Sequence, residues 1–190
     1  MAHVEHVAFA ERSDSSIRIN YRQIIVIVGN NASYKTNIAL YISDKYNYFY
    51  YNFRQIYYDF IAALLHIDNI QSANKYNYST LLGNSIFAEI NTLESKYGRD
   101  IVMNLFLHDI FPFHDCIVLD DVKYLSEIRE LKKFGAICIY VMETPLDDCD
   151  FTILYSCDDV IYTHLKKPDE IFFDINKILK SYGISYFNYV

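Results

Sequence analysis

The stretch IIVIVGNNASYKT, residues 24–36, decides the fold of this chain. Its first five residues are all β-branched, which is typical of a strand buried on both faces of a parallel sheet. Gly29 ends that run, and the loop NNASY leads into a segment, Lys35 to Asp44, with helical spacing of its apolar residues. The sequence therefore predicts a buried strand, a short polar loop and a helix.

The same alternation of strand and helix continues through the rest of the chain. A second buried strand, CIVL at 116–119, ends in Asp120 and Asp121, and a third, AICIYV, covers residues 136–141. Weaker strands are predicted at 48–51 and 160–162, and helices at 55–66, 81–95, 99–110, 126–133 and 169–182, with a polar loop at 67–80 and helix stops at Pro112 and Gly135. This order of elements indicates an α/β fold with a mainly parallel sheet.

Composition limits the domain organisation and the partners. A chain of 190 residues that is 52% hydrophobic fits one domain, predicted over residues 21–190 after a polar tail at 1–20. The formal charge of -7 argues against binding to duplex nucleic acid, which needs a concentrated cationic face.

The cysteine pattern and the hydropathy both favour an intracellular location. The four cysteines form no CxxC pair, which favours a reduced, intracellular protein. No apolar run is long enough to span a membrane, and the first residues do not have the pattern of a signal peptide, so a cytoplasmic location is expected. The excess of tyrosine, 19 residues against no tryptophan, hints at an AT-rich coding sequence and a viral source.

The segment after the first strand has the spacing of a phosphate-binding loop. GNNASYKT matches the pattern G-x-x-x-x-G-K-[ST] at every defined position except the second glycine, which is Tyr34. In such a loop backbone amides cradle phosphate, the lysine reaches the outer phosphates and the hydroxyl binds magnesium. The predicted contact residues are Gly29, Asn30, Asn31, Ala32, Ser33, Tyr34, Lys35 and Thr36. The alternative is a polar turn and an amphipathic helix that happen to contain Lys-Thr.

Tyr34 stands where the pattern requires a residue that tolerates positive φ. A bulky side chain in that conformation costs on the order of 1 kcal/mol or more. The tyrosine is therefore expected either to relax the loop or to weaken nucleotide binding, unless it has been recruited to pack over the site.

The second buried strand ends in two acids, Asp120 and Asp121. A carboxylate at the end of the strand beside the phosphate loop organises magnesium in phosphoryl-transfer enzymes of this type. The other interpretation is that these acids only cap the next helix.

Several segments resemble one protein family. Asp121 to Glu127, DVKYLSE, followed by a helix, Gly135 and the strand AICIYV, is similar to the D-V-R-F-x-N-E stretch, helix, glycine and strand of the deoxynucleoside monophosphate kinases of phages and large DNA viruses. LESKYGRDIVMNL at 93–105 resembles the family's L-Q-x-x-G-T-x-x-G-R segment, with Arg99 at the arginine and a compressed spacing. With the end of the chain around 155–162, the likeness covers most of residues 24–180 through degenerate motifs.

The resemblance implies a three-layer P-loop nucleoside-kinase fold, with ATP and Mg²⁺ as cofactors. The implied reaction is transfer of the γ-phosphoryl group from ATP to a deoxynucleoside monophosphate, in deoxynucleotide metabolism. The implied catalytic residues are Lys35, Asp121, Arg99 and Lys123, with Arg99 clamping the acceptor phosphate, and the implied metal ligands are Thr36 and Asp120.

Three departures from the family pattern support a different function. Tyr34 replaces a glycine, Lys123 replaces an arginine, and Glu143 stands where the family usually has an arginine. Lysine keeps the charge but loses the planar fork, and an acid repels triphosphate. The second hypothesis is therefore a catalytically degenerate homologue that acts as a binding or scaffold subunit, with a second copy of the chain or another viral protein as partner. A weaker third possibility is a phosphate-loop NTPase or a kinase for another small phosphorylated acceptor.

A tyrosine-dense segment follows the predicted loop helix. Residues 46–58 could stack a nucleobase, or they could pack as ordinary core and surface. Arg54 lies in this segment and is a candidate for binding phosphate.

Overall fold

Five parallel strands form one sheet in the computed structural model, which describes residues 22–29, 32–55, 92, 95–96, 98, 100–143 and 150–186. The strands are β1 (Gln23–Val28), β2 (Phe49–Asn52), β3 (Cys116–Asp120), β4 (Ile137–Met142) and β5 (Asp159–Tyr162), in the order β2-β3-β1-β4-β5. Every pairing of these strands is parallel. The predicted α/β fold with a parallel sheet is confirmed, and each predicted strand is found within a residue or two of its expected bounds.

Helices pack against both faces of this sheet. The helices that lie wholly within the described ranges are α1 (Ala32–Tyr46), α2 (Ile101–Leu105), α3 (Leu125–Lys133), α4 (Phe151–Leu154) and α5 (Pro168–Ser181). Helix α2 continues as a π-helical turn to Ile110 and then a 3₁₀ turn at Phe111–Phe113, so Pro112 lies just past its end as predicted. The short helix α4 was not predicted, and the Asp150 side chain caps it by accepting a 2.8 Å hydrogen bond from the Thr152 amide.

Alternate residues of each strand face opposite layers of helices. One face of the sheet packs against α1 and α5, whose buried residues include Ile38, Ile42, Ile171, Ile175 and Leu179. The other face packs against α2, its π-helical continuation and α3 through Val102, Met103, Phe106, Ile128 and Leu131. The apolar runs of β1, β3 and β4 are continuous because both of their faces are covered.

One predicted boundary near the first strand is wrong. Helix α1 begins at Ala32, so Ala32, Ser33 and Tyr34 belong to its first turn and not to a loop. The earlier start of α1 changes the backbone conformation expected of Tyr34. A residue inside a right-handed helix has negative φ, and Tyr34 is not among the positive-φ residues. The expected conflict between a bulky side chain and a left-handed backbone therefore does not arise.

Several predictions lie outside the described residues. These are the tail at 1–20, nearly all of the helices at 55–66 and 81–95, the loop at 67–80, and the site residues Asn30, Asn31 and Arg99.

Candidate functional site

The carboxyl ends of β1, β2 and β3 meet at one edge of the sheet. The strands are parallel and adjacent in the order β2-β3-β1, and Asn52 at the end of β2 is in register with Asp120 at the end of β3. Helix α1 starts just after β1 at the same edge. Ligands of open parallel sheets bind in the crevice beyond the carboxyl ends of the strands, so this edge is the candidate site.

Gly29 allows the chain to leave β1 close to its neighbour β4. Its φ is 152°, and a Cβ atom built on it would lie 2.3 Å from the carbonyl oxygen of Val141. Any side chain at this position would collide with the backbone of β4. The predicted glycine of the loop is thus required by the packing of the sheet, whether or not a phosphate binds.

Lys35 is the fourth residue of α1 and lies at the end of its first turn. Its Nζ donates a hydrogen bond to the Gly29 carbonyl oxygen. Burial lowers the pKa of this amine, while the neighbouring charge of Asp121, and to a lesser degree that of Asp120, raises it. Lys35 therefore places a positive charge above the end of β1, next to the acids at the end of β3.

Thr36 and Asp120 join helix α1 to strand β3. The Thr36 hydroxyl donates a 2.7 Å hydrogen bond to Oδ2 of Asp120, and the Tyr50 hydroxyl donates a second one of 3.1 Å to the same oxygen. The prediction placed Thr36 and Asp120 in one site, and the structure brings them into contact. Tyr50 was not predicted as a partner of this carboxylate.

Asp120 is buried, and within the described ranges only one of its two carboxylate oxygens accepts hydrogen bonds. The residue is 1% exposed, and its Oδ1 atom has no hydrogen-bond partner among the described residues. Burial raises the pKa of this carboxyl, whereas the hydroxyls of Thr36 and Tyr50 lower it by stabilising the charged form. A buried acceptor without a partner is unfavourable, since it loses its hydration without a replacement. This oxygen is a natural ligand for a cation.

Asp121 and Lys123 lie in the turn that follows β3. Asp121 has a φ of 58°, a left-handed conformation that aspartate tolerates better than most residues. Lys123 Nζ lies 3.4 Å from Oδ1 of Asp121. The two predicted catalytic residues are thus paired with each other at the edge that carries Lys35 and Asp120.

Arg54 is buried in an ion pair, which does not support the hypothesis that it binds phosphate. Its guanidinium lies 2.5 Å from Oε1 of Glu127, and the two side chains are only 3% and 5% exposed. The other carboxylate oxygen of Glu127 accepts hydrogen bonds from the amides of Lys123 and Tyr124, at 3.0 and 3.1 Å. This buried pair ties the end of β2 to the turn after β3 and to the start of α3.

Tyr34 packs on the α1 and α5 side of the sheet. Its half-buried ring adjoins the apolar cluster on that face, which includes Ile38 and Ile42. The ring therefore contributes to the attachment of the first turn of α1.

The donors at this edge fit a magnesium ion that is shared with a nucleotide. Magnesium takes oxygen ligands and is usually bound by one or two carboxylates together with substrate phosphates. The Thr36 hydroxyl and the Asp120 carboxylate are such ligands, and the unpartnered Oδ1 atom is what an oxygen-seeking cation would complete. Within the described part of the chain no group of three or more His, Cys, Asp or Glu residues is placed to hold a metal by itself.

Comparison with known proteins identifies no family for this chain. No family model matches the chain, and no curated protein matches it. The functional interpretation therefore depends on the motifs and on the contacts described above. None of the helices in the described ranges is long and apolar enough to cross a membrane.

Proposed function

We propose that the protein binds magnesium-ATP at the carboxyl edge of the sheet and acts as a nucleoside monophosphate kinase-like phosphotransferase. One observation carries the proposal: the Thr36 hydroxyl is bonded to the buried Asp120, whose second oxygen has no partner in the described ranges. A strand, a short turn and a helix with Lys35 and Thr36 near its start supply the remaining parts of a phosphate site.

Lys35 is the residue that would contact the outer phosphates. In the structure its ammonium is bonded to the neutral Gly29 carbonyl. A phosphate oxygen is a charged and therefore stronger acceptor. We expect Lys35 to exchange the carbonyl for phosphate when nucleotide binds. The positive end of the α1 dipole lies on the same side and favours an anion there as well.

Thr36 and Asp120 are the residues that would hold magnesium. The Thr36 hydroxyl can donate its proton to Asp120 and still offer an oxygen lone pair to a cation. Bound magnesium supplies charge neutralisation on the phosphates during phosphoryl transfer. Asp120 keeps Thr36 oriented, and the Arg54–Glu127 pair holds the turn that follows Asp120.

The acceptor is assigned from the family resemblance. Arg99 would clamp the phosphate of a nucleoside monophosphate, and Lys123 would offer a second positive charge from the turn after β3. Such a reaction depends on positioning and on charge neutralisation more than on covalent catalysis.

A second candidate function has its own support. Two cations near this edge are engaged by acids of the chain: Arg54 by Glu127 and Lys123 by Asp121. The helix also begins earlier than a full phosphate loop would allow. These observations favour a protein that has kept the fold and lost turnover, and that acts as a binding or scaffold subunit.

One experiment separates the two functions. Purified protein is titrated calorimetrically with ATP and Mg²⁺ and then assayed for ADP formation with each of the four deoxynucleoside monophosphates. The kinase proposal predicts binding and transfer to at least one acceptor, and Arg99→Lys is expected to lower transfer with little change in ATP affinity. Binding without transfer to any acceptor would refute the kinase function and favour the degenerate homologue, and no binding would refute a nucleotide site at this edge.

A further inference from the structure

Strand β2 brings a tyrosine to the carboxylate that the sequence assigns to magnesium. Tyr50 is in register with Val118 of β3, and Asp120 lies two positions further along β3. Side chains two apart on a strand point to the same face, and a diagonal neighbour is within reach of a long aromatic side chain. The phenol oxygen of Tyr50 accordingly lies 3.1 Å from Oδ2 of Asp120.

Two hydroxyl groups from different elements converge on one oxygen of Asp120. Thr36 donates from α1 at 2.7 Å, and Tyr50 donates from β2 at 3.1 Å. Two donors on Oδ2 restrain rotation of the carboxylate about its terminal torsion, which is otherwise broad. The oxygen left without a partner in the described part of the chain is Oδ1.

The phenol is suited to this role because its single hydroxyl donates directly to the carboxylate of Asp120. A phenylalanine at this position would keep the ring and lose only the donor.

We propose that Tyr50 is a positioning residue that fixes the Asp120 carboxylate so that Oδ1 is presented to the magnesium ion of the bound nucleotide. This inference rests on the proposed function, because it concerns the same site. It assigns to β2 a role that neither the motifs nor the family resemblance contains. Tyr50 acts through Asp120 and has no assigned contact with the nucleotide.

The test compares ATP affinity with Mg²⁺ and with EDTA, so that each variant serves as its own reference for folding. We expect Tyr50→Phe to reduce the ratio of the two affinities about tenfold, ~1.4 kcal/mol, while the affinity in EDTA is unchanged. The matched control is Tyr48→Phe. Tyr48 is also a buried phenol, and its hydroxyl donates to Gln23 near the other end of β2, away from the site. Its ratio should equal that of the wild type.

A double-mutant cycle shows whether the effect passes through Asp120. In an Asp120→Asn background, Tyr50→Phe should produce no further change in the ratio. An unchanged ratio in the Tyr50→Phe single variant, or an equal loss in both backgrounds, would overturn the positioning role and leave the proposed function intact. A Tyr50→Phe protein that fails to fold beside a folded Tyr48→Phe protein would show a structural role only. Absence of ATP binding by the wild type would overturn both proposals.

Discussion

The Thr36 hydroxyl donates a 2.7 Å hydrogen bond to Oδ2 of Asp120, across 84 residues of sequence. The bond joins the start of α1 to the end of the strand beside β1, and thereby connects the two motifs that suggested a phosphate site. A capping role for Asp120 would leave it bonded to amides of the helix that follows. The observed hydroxyl partners, Thr36 and Tyr50, come instead from α1 and β2.

Gly29 is expected to be intolerant of any side chain. We predict that Gly29→Ala lowers the free energy of unfolding by ~3 kcal/mol or more, because the new Cβ would lie 2.3 Å from the Val141 carbonyl oxygen. Gly135→Ala is the control: its φ is also positive, at 80°, but nothing lies within 4 Å of the added carbon. It should lose only about 1 kcal/mol. Urea unfolding measures both, and equal losses would show that the contact with β4 does not decide the residue at position 29.

The buried Arg54–Glu127 pair is expected to stabilise the fold, because it connects the end of β2 to the turn after β3. Glu127→Gln leaves the buried guanidinium without its countercharge, and we predict a loss of about 3 kcal/mol in the free energy of unfolding. Glu130→Gln, in the same helix, removes an exposed partner of Lys133 and should change stability by less than about 0.5 kcal/mol. Chemical denaturation of the two variants checks this, and a loss below about 1 kcal/mol for Glu127→Gln would contradict it.

Tyr34 is expected to contribute to stability and not to obstruct the nucleotide. Because the residue lies in the first turn of α1 and packs on the sheet, Tyr34→Gly should lower the free energy of unfolding by about 2 kcal/mol, from lost burial and from helix propensity. Asn37→Gly, an exposed position of the same helix, isolates the propensity effect. Tighter ATP binding by Tyr34→Gly with an unchanged melting temperature would show that the tyrosine is a defect in the loop.

The sequence predicted the sheet well because each strand is a local feature. The runs at 24–28, 116–119 and 136–141 are apolar on both faces, and that pattern is typical of strands covered on both sides. Gly135 was recognisable as a helix stop, and its φ of 80° agrees.

The partners of the site residues could not be predicted in the same way. Tyr50 meets Asp120, and Arg54 meets Glu127, only because β2 lies beside β3, and no local pattern encodes the order of strands in a sheet. The start of α1 was misplaced because the phosphate-loop pattern was aligned as a loop up to Lys35. The helix instead begins three residues earlier, at Ala32, and the ring of Tyr34 packs against the sheet from its first turn.

Calorimetric titration with magnesium-ATP tests most directly whether Lys35 binds a nucleotide at the end of β1. Wild type, Lys35→Ala and Lys45→Ala are compared, since Lys45 is an exposed lysine in the last turn of the same helix and keeps the change in net charge equal. We predict that Lys35→Ala weakens binding by more than about tenfold, ~1.4 kcal/mol, while Lys45→Ala binds as the wild type does. Equal affinities for all three proteins, or no binding by the wild type, would contradict a phosphate site at the end of β1.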